Sequence, residues 1–202
     1  LHLPGAGLLI DPRPPASLRI ALRKVGAFEL HREGRSVIAD AGPSLLLRGG
    51  RNAVTHLAAD HVVRIEQDTI EISGPMGWAK HQVMTPPRLL ALRLLMLGPG
   101  RWFPDLVRKM LQRLLIVSPR PAPFHFVRRF NWEGDALSVE DRVQASDWSR
   151  VIDAQIPPDQ TSIYIVMSRY LRAGNLRPPV DLAEELETAR RTGTLVVRRR
   201  FA

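Results

Sequence analysis

The sequence predicts a mainly β protein, an antiparallel β-sandwich with an inserted amphipathic helical pair. Apolar and polar residues alternate in short runs over 17–75 and 124–143, which is typical of strands with one buried face. Turn signals recur about every eight to ten residues, the spacing expected of a sandwich or a barrel. Between 86 and 117 the apolar period changes to that of helices.

Short strands joined by tight turns account for the first part of the chain. Residues 1–16 are rich in proline and glycine, so we expect an entry segment with little regular structure, followed by one domain over 17–202. Glu33-Gly34-Arg35 and Gln67-Asp68 are the clearest hairpin turns. The strands expected here cover 18–23, 27–31, 36–39, 45–47, 62–66 and 69–73.

The last third of the chain returns to the β pattern. Strands at 124–130 and 136–143 flank the turn Glu133-Gly134-Asp135, and a further strand is expected at 162–167. A short helix at 181–191 places its acids before its bases, the order that the helix dipole favours, and a strand at 194–201 ends the chain.

The helical segment carries most of the charge. Residues 86–120 hold seven basic side chains and one acid, which is six of the nine net positive charges. Beside a leucine-rich face, this charge favours an acidic polysaccharide or an anionic membrane surface as partner. The alternative is that both helices pack on the sheets with their arginines at the margin. The residues expected to bind the anion or membrane are Arg88, Arg93, Arg101, Trp102, Arg108, Lys109 and Arg113.

Several kinds of site are excluded or disfavoured. Without cysteine the chain has no disulfide, thiolate metal site or cysteine nucleophile, and its six histidines lack metal-ligand spacing. There is no phosphate loop or nucleophile elbow, so we expect neither a cofactor nor a metal. No apolar stretch is long enough to span a bilayer.

Three smaller groups leave weaker alternatives. Glu140 and Asp141 point to opposite faces of their strand, so we expect a solvent-facing acid near a turn rather than paired catalytic carboxylates. Tyr164 and Tyr170 could serve a lyase as acid or base. Phe126, Phe130 and Trp132, beside Arg128 and Arg129, fit a hydrophobic core better than a stacking platform, which disfavours nucleic acid.

The order of several motifs resembles a known family. The entry LHLPGAGLLID precedes LRIALRKVGAFELHREGRSVIADAG, MTPPRLLALRLLMLGPGRWFPDLVRKMLQRLL and the hairpin VRRFNWEGDALSVEDRV. This order resembles the C-terminal β-sandwich region of heparinase II/III-like polysaccharide lyases and related exopolysaccharide-cluster proteins. Their hairpin pattern R-x-F-x-W-x-G-D-x-L-x-V-x-D is assigned to Arg129, Asn131-Trp132, Gly134, Asp135, Leu137, Val139 and Asp141.

The resemblance implies that this chain is the C-terminal part of a larger protein with an upstream α/α-toroid. Such lyases carry catalytic Asn, His and Tyr mainly on the toroid and a further His in an H-x-H-x-D motif, which is absent here. We therefore assign no catalytic residue. The expected function is binding or acting on acidic glycan in envelope or exopolysaccharide metabolism, as a lyase only if an upstream domain completes it. The alternative is a peripheral membrane adaptor of polysaccharide assembly, docking through 86–117. Either role places it at the cell envelope, in the periplasm or on the cytoplasmic membrane face.

Overall fold

A computed structural model of the chain describes residues 1–57, 60–66, 68–79, 90, 93, 120–157 and 178–201. The chain divides into two compact units, one of Leu1–Ala79 with Arg120–Ala202 and one of Lys80–Pro119. Every strand and the helix described below belong to the first unit.

The first unit is mainly β, as predicted. Strands make up 62% of the described residues, and every strand pair among them is antiparallel. The strands are β1 His2–Leu3, β2 Leu8–Arg13, β3 Ala16–Ala21, β4 Ala27–Arg32, β5 Arg35–Asp40, β6 Ser44–Leu47, β7 Arg51–Val54, β8 Val62–Ile65, β9 Thr69–Ala79, β10 Pro121–Glu133, β11 Ala136–Gln144, β12 Val151–Ile156, β13 Val180–Asp181 and β14 Thr194–Phe201.

The first five strands form a sheet in chain order, a simple meander. The predicted turn between β4 and β5 is confirmed, because Glu33 and Gly34 both have positive φ (49° and 77°), as a tight hairpin of this hand requires. The prediction of little regular structure in 1–16 is wrong. Its apolar run pairs with β3 through Leu8↔Ala21 and Leu9↔Ile20, a β signal that the surrounding prolines and glycines obscured.

The other nine strands form a second sheet, of which eight follow the order β13-β12-β6-β7-β9-β10-β11-β14 and the ninth, β8, pairs with β9. The antiparallel sheets include a curled half-barrel. The long strand β9 pairs with β10 along one edge, while β8 and β7 share its other edge at opposite ends. Strands β7 and β12 were not predicted; the run of β7, Arg51-Asn52-Ala53-Val54, is short and only half apolar.

One helix, α1 Ala183–Thr192, lies in the described part of the chain, close to the predicted 181–191. The Asp181 carboxylate accepts a hydrogen bond from the Ala183 amide at its start, and Gly193, with φ 78°, ends it. The helical pair predicted at 86–117 lies outside the described residues except for Leu90 and Arg93, both helical and exposed. The strand predicted at 162–167 also lies outside them. No helix among the described residues could span a membrane.

Both sheets and the helix contribute to one hydrophobic core. Phe28 of the first sheet packs edge-to-face on Phe130 of the second, with ring centroids 5.2 Å apart. Phe126, Phe130 and Trp132 are all buried, so the prediction that these aromatics form core rather than a stacking platform is confirmed.

Candidate functional site

Two ion-pair systems lie back to back on β10 and β11. Arg128 pairs in register with Asp141, and the next residue Arg129 pairs with Glu140. Because successive side chains of a strand point to opposite faces, one pair faces the core and the other faces solvent. The Arg128 side chain is 1% exposed and that of Arg129 is 49% exposed.

The buried system, here called the inner cluster, consists of Arg128, Asp40, Asp141 and Arg199. Arg128 donates from Nε to Asp141 (2.6 Å), from Nη2 to Asp40 (2.9 Å) and Asp141 (3.0 Å), and from Nη1 to the Gly26 carbonyl (2.8 Å). Arg199 donates to both carboxylates from its two Nη atoms. The cluster balances two positive with two negative charges.

The inner cluster joins the two sheets. Asp40 ends β5 of the first sheet, whereas Arg128, Asp141 and Arg199 lie on three adjacent strands of the second. Burial acts to raise the pKa of Asp40, but Arg128 and Arg199 outweigh it and hold that pKa below its ordinary value. Because the charges of the cluster balance one another, removing one member would leave a buried charge without its partner and destabilise the fold.

The exposed system, here called the outer ladder, crosses five strands in one row. Strand register aligns Arg64 of β8 with Glu71 of β9, then Arg129 of β10, Glu140 of β11 and Arg198 of β14. The charge therefore alternates in sign from strand to strand. Alternating charges at directly opposed positions attract one another across each pair of strands.

Each glutamate of the outer ladder is approached by two arginines. Glu71 accepts from Arg129 Nε at 2.6 Å and lies 3.7 Å from Arg64 Nη1. The side chain of Glu71 is 19% exposed, whereas that of Arg64 is 72% exposed. The Glu71 carboxylate therefore lies close to the surface of the sheet, while the guanidinium groups extend into solvent.

Glu140 is held in the same way by Arg142 Nε at 2.5 Å and Arg198 Nε at 2.6 Å. Burial raises the pKa of Glu140, but the hydrogen bonds and charges of Arg198 and Arg142 outweigh it, so the pKa lies below its ordinary value. Among the described residues, the Nη atoms of Arg129, Arg142 and Arg198 make no hydrogen bond. These Nη pairs are therefore available to a ligand.

The outer ladder lies in an open groove of about 620 Å³. The neutral side chains Thr69, Asn131 and Ser138 form the neighbouring row in register. Glu66, Glu133 and Arg142 complete the lining, which thus contains four arginines, four glutamates and three neutral polar residues. Such a surface can donate bidentate hydrogen bonds to anions and exchange single ones with hydroxyl groups.

The residues predicted to bind anions or membrane lie almost entirely outside the described residues. Only Arg93 is described, as an exposed helical residue. The described part of the chain also contains no group of three His, Asp or Glu residues that could hold a metal.

One sequence assignment in the hairpin needs correction. The arginine that fits the pattern R-x-F-x-W is Arg128, two residues before Phe130 and on the same buried face, rather than Arg129. The prediction that Glu140 and Asp141 point to opposite faces of their strand is confirmed, because Glu140 lines the open groove and Asp141 is 2% exposed. Its burial was foreseeable, because Asp141 shares the period-two face of Leu137, Val139 and Val143.

The outer ladder was not predicted. Its members are separated by up to 134 positions in the sequence, from Arg64 to Arg198, and only strand pairing aligns them. Comparisons of the chain with protein-family models, curated proteins and solved structures find no match. The resemblance to heparinase II/III-like proteins therefore stays a prediction.

Proposed function

We propose that this chain is a polysaccharide-associated β-sandwich domain that binds acidic glycan along the outer ladder. The observation that carries the proposal is the set of unbonded Nη pairs on Arg129, Arg142 and Arg198 inside one open groove. A guanidinium fork matches a carboxylate or sulfate geometrically and keeps its charge at any physiological pH.

The rest of the groove favours a sugar polymer over other anions. Asn131, Ser138 and Thr69 offer amide and hydroxyl groups that suit sugar hydroxyls. The lining is polar throughout, unlike the largely apolar pockets that take small organic ligands. The described residues that line it include no aromatic side chain, on which single-stranded nucleic acid would stack.

The proposal includes the wider setting that the resemblance implies. The chain would be the C-terminal sandwich of a heparinase II/III-like protein in envelope or exopolysaccharide metabolism. Any lyase activity would then depend on groups supplied by an upstream toroid. The chain alone is expected to bind acidic glycan without releasing unsaturated product, which ultraviolet absorbance would detect.

The test compares two triple variants with the same change in charge. Arg64→Gln, Arg129→Gln, Arg198→Gln removes the arginines of the outer ladder, whereas Arg19→Gln, Arg35→Gln, Arg48→Gln removes three exposed arginines elsewhere. Titration calorimetry with hyaluronan oligosaccharides at low salt should show at least a tenfold loss for the first variant, since charge-assisted hydrogen bonds contribute about 1.5–3 kcal/mol each. Equal affinity of the two variants would contradict the proposal.

A second candidate function is docking on an anionic membrane through the basic segment 86–117. The exposed helical residues Leu90, at 60% exposure, and Arg93 favour it, because they present apolar and basic groups one turn apart. The change Arg108→Glu, Lys109→Glu, Arg113→Glu should then abolish sedimentation with phosphatidylserine vesicles. Unchanged sedimentation would eliminate this candidate, as would failure of the unaltered chain to bind.

A further inference from the structure

The arginines of the outer ladder recur at a regular spacing. Neighbouring strands lie about 4.8 Å apart, so its three arginines, on every second strand, recur about every 10 Å. The row runs across the strands from Arg64 on β8 to Arg198 on β14. A ligand lying along it meets positive, negative, positive, negative and positive groups in turn.

Guanidinium groups lie against both of the glutamates between these arginines. Glu140 has a lowered pKa, and Glu71 lies against two guanidinium groups. Each carboxylate has about four lone-pair sites. Glu71 and Glu140 can therefore still accept hydrogen bonds from a ligand, but they repel a second anion.

We propose that the outer ladder selects a linear glycan with one anionic group on every second sugar, lying across the strands; this rests on the proposed function. In an extended glycan each sugar advances the chain by about one strand spacing. Acidic sugars then face Arg64, Arg129 and Arg198, while neutral sugars donate hydroxyl or amide hydrogens to Glu71 and Glu140. A glycan charged on every sugar places carboxylates against both glutamates, which repel them. This repulsion makes the outer ladder specific for the glycan with the wider charge spacing.

The neighbouring rows fix how the glycan lies. On one side Thr69, Asn131 and Ser138 form a neutral hydrogen-bonding row. On the other side, Val127 and Val196 are opposite Arg142, which leaves fewer polar partners for sugar hydroxyls. The glycan therefore lies over the ladder and the neutral row, and about five sugars match its five strands.

Calorimetry with two glycans of matched length tests the selection. Hyaluronan oligosaccharides carry one carboxylate per two sugars, and oligogalacturonates carry one on each sugar. At equal low salt we expect hyaluronan to bind at least tenfold more tightly despite its lower charge. Equal or tighter binding of the oligogalacturonate would overturn the inference, because simple charge attraction predicts that order.

Replacing the two glutamates of the outer ladder with neutral residues should abolish the preference for hyaluronan. The double variant Glu71→Gln, Glu140→Gln is expected to bind both glycans with affinities within about threefold of each other. The control Glu33→Gln, Glu184→Gln makes the same charge change at two exposed sites away from the groove and should keep the tenfold preference. A preference retained in the first double variant would also overturn the inference.

The outcomes separate this inference from the proposed function. If neither glycan binds the unaltered chain, or if binding survives loss of the three ladder arginines, the proposed function fails. If both glycans bind equally and the arginine variant abolishes both, the outer ladder is a glycan site without selection for charge spacing. In that case only this inference fails.

Discussion

The inner cluster and the outer ladder use the same side-chain types one residue apart on the same two strands. Arg128 with Asp141 and Arg129 with Glu140 differ mainly in the face on which they lie. The side chains of Arg128 and Asp141 are 1% and 3% exposed, whereas that of Arg129 is 49% exposed. Burial therefore decides whether such a pair maintains the fold or remains available to a ligand.

The two systems differ in stability because their charged groups are hydrated to different extents. Removing an ion pair from water costs several kcal/mol per ion, which the inner cluster offsets because Arg128 bonds through all three of its nitrogens. The arginines of the outer ladder keep much of their hydration, so their pairing contributes little to stability. The same exposure leaves nitrogen donors of these arginines unbonded.

The largest effect should come from replacing Arg128 with methionine, with the same change at its neighbour Arg129 as the matched control. Arg128→Met leaves Asp40 and Asp141 buried with Arg199 alone, and we expect it to lower the free energy of unfolding by about 3–5 kcal/mol. The matched Arg129→Met should cost at most about 1 kcal/mol. Urea unfolding measures both, and similar losses for the two variants would show that burial does not set how much each arginine contributes to stability.

The next largest effect concerns the backbone beside the inner cluster. A Cβ added at Gly42 would lie 2.3 Å from Thr55 Oγ1 and 2.8 Å from Arg128 Nη2, at φ +93°. We expect Gly42→Ala to destabilise the fold by about 3 kcal/mol, through both the clash and the left-handed backbone. Gly34, with φ +77° but nothing within 4 Å, is the control, and its alanine variant should cost about 1 kcal/mol. Thermal unfolding that ranks the two in the opposite order would show that Asp40 and its neighbours rearrange freely.

These two regions also show what the sequence could and could not predict. The strands β4, β5, β10 and β11 follow from period-two alternation and glycine turns, which are local signals. The burial of Arg128 also follows from a local signal, because Arg128 shares a strand face with Phe126 and Phe130. The assignment of the hairpin pattern to Arg129 overlooked that signal. The outer ladder also needed the pairing of β9 with β10 and of β11 with β14, which joins residues far apart in the sequence.

A smaller effect should appear as pH falls. Since the folded state holds the pKa of Asp40 below its ordinary value of 3.8, Asp40 contributes stability that is complete above that value and is lost as pH falls through the folded pKa. Unfolding midpoints measured at successively lower pH should therefore drop in this window. Asp40→Asn is less stable throughout and should show a shallower acid dependence. An unchanged slope in this variant would mean that Asp40 takes no part in the acid transition.

The smallest effect, and the sharpest test of the contrast, is the response of each pair to salt. A double-mutant cycle on Arg129 and Glu71, with both changed to Gln, should give a coupling energy of about 0.2–1 kcal/mol at low salt. At 1 M salt the screening length falls to about 3 Å, so this coupling should nearly vanish. The matched cycle on Arg128 and Asp141 should keep its larger coupling, because salt does not enter the core. A salt-insensitive coupling between Arg129 and Glu71 would mean that the outer ladder is fixed like the inner cluster, and its guanidinium groups would then be poorly placed to adapt to a glycan.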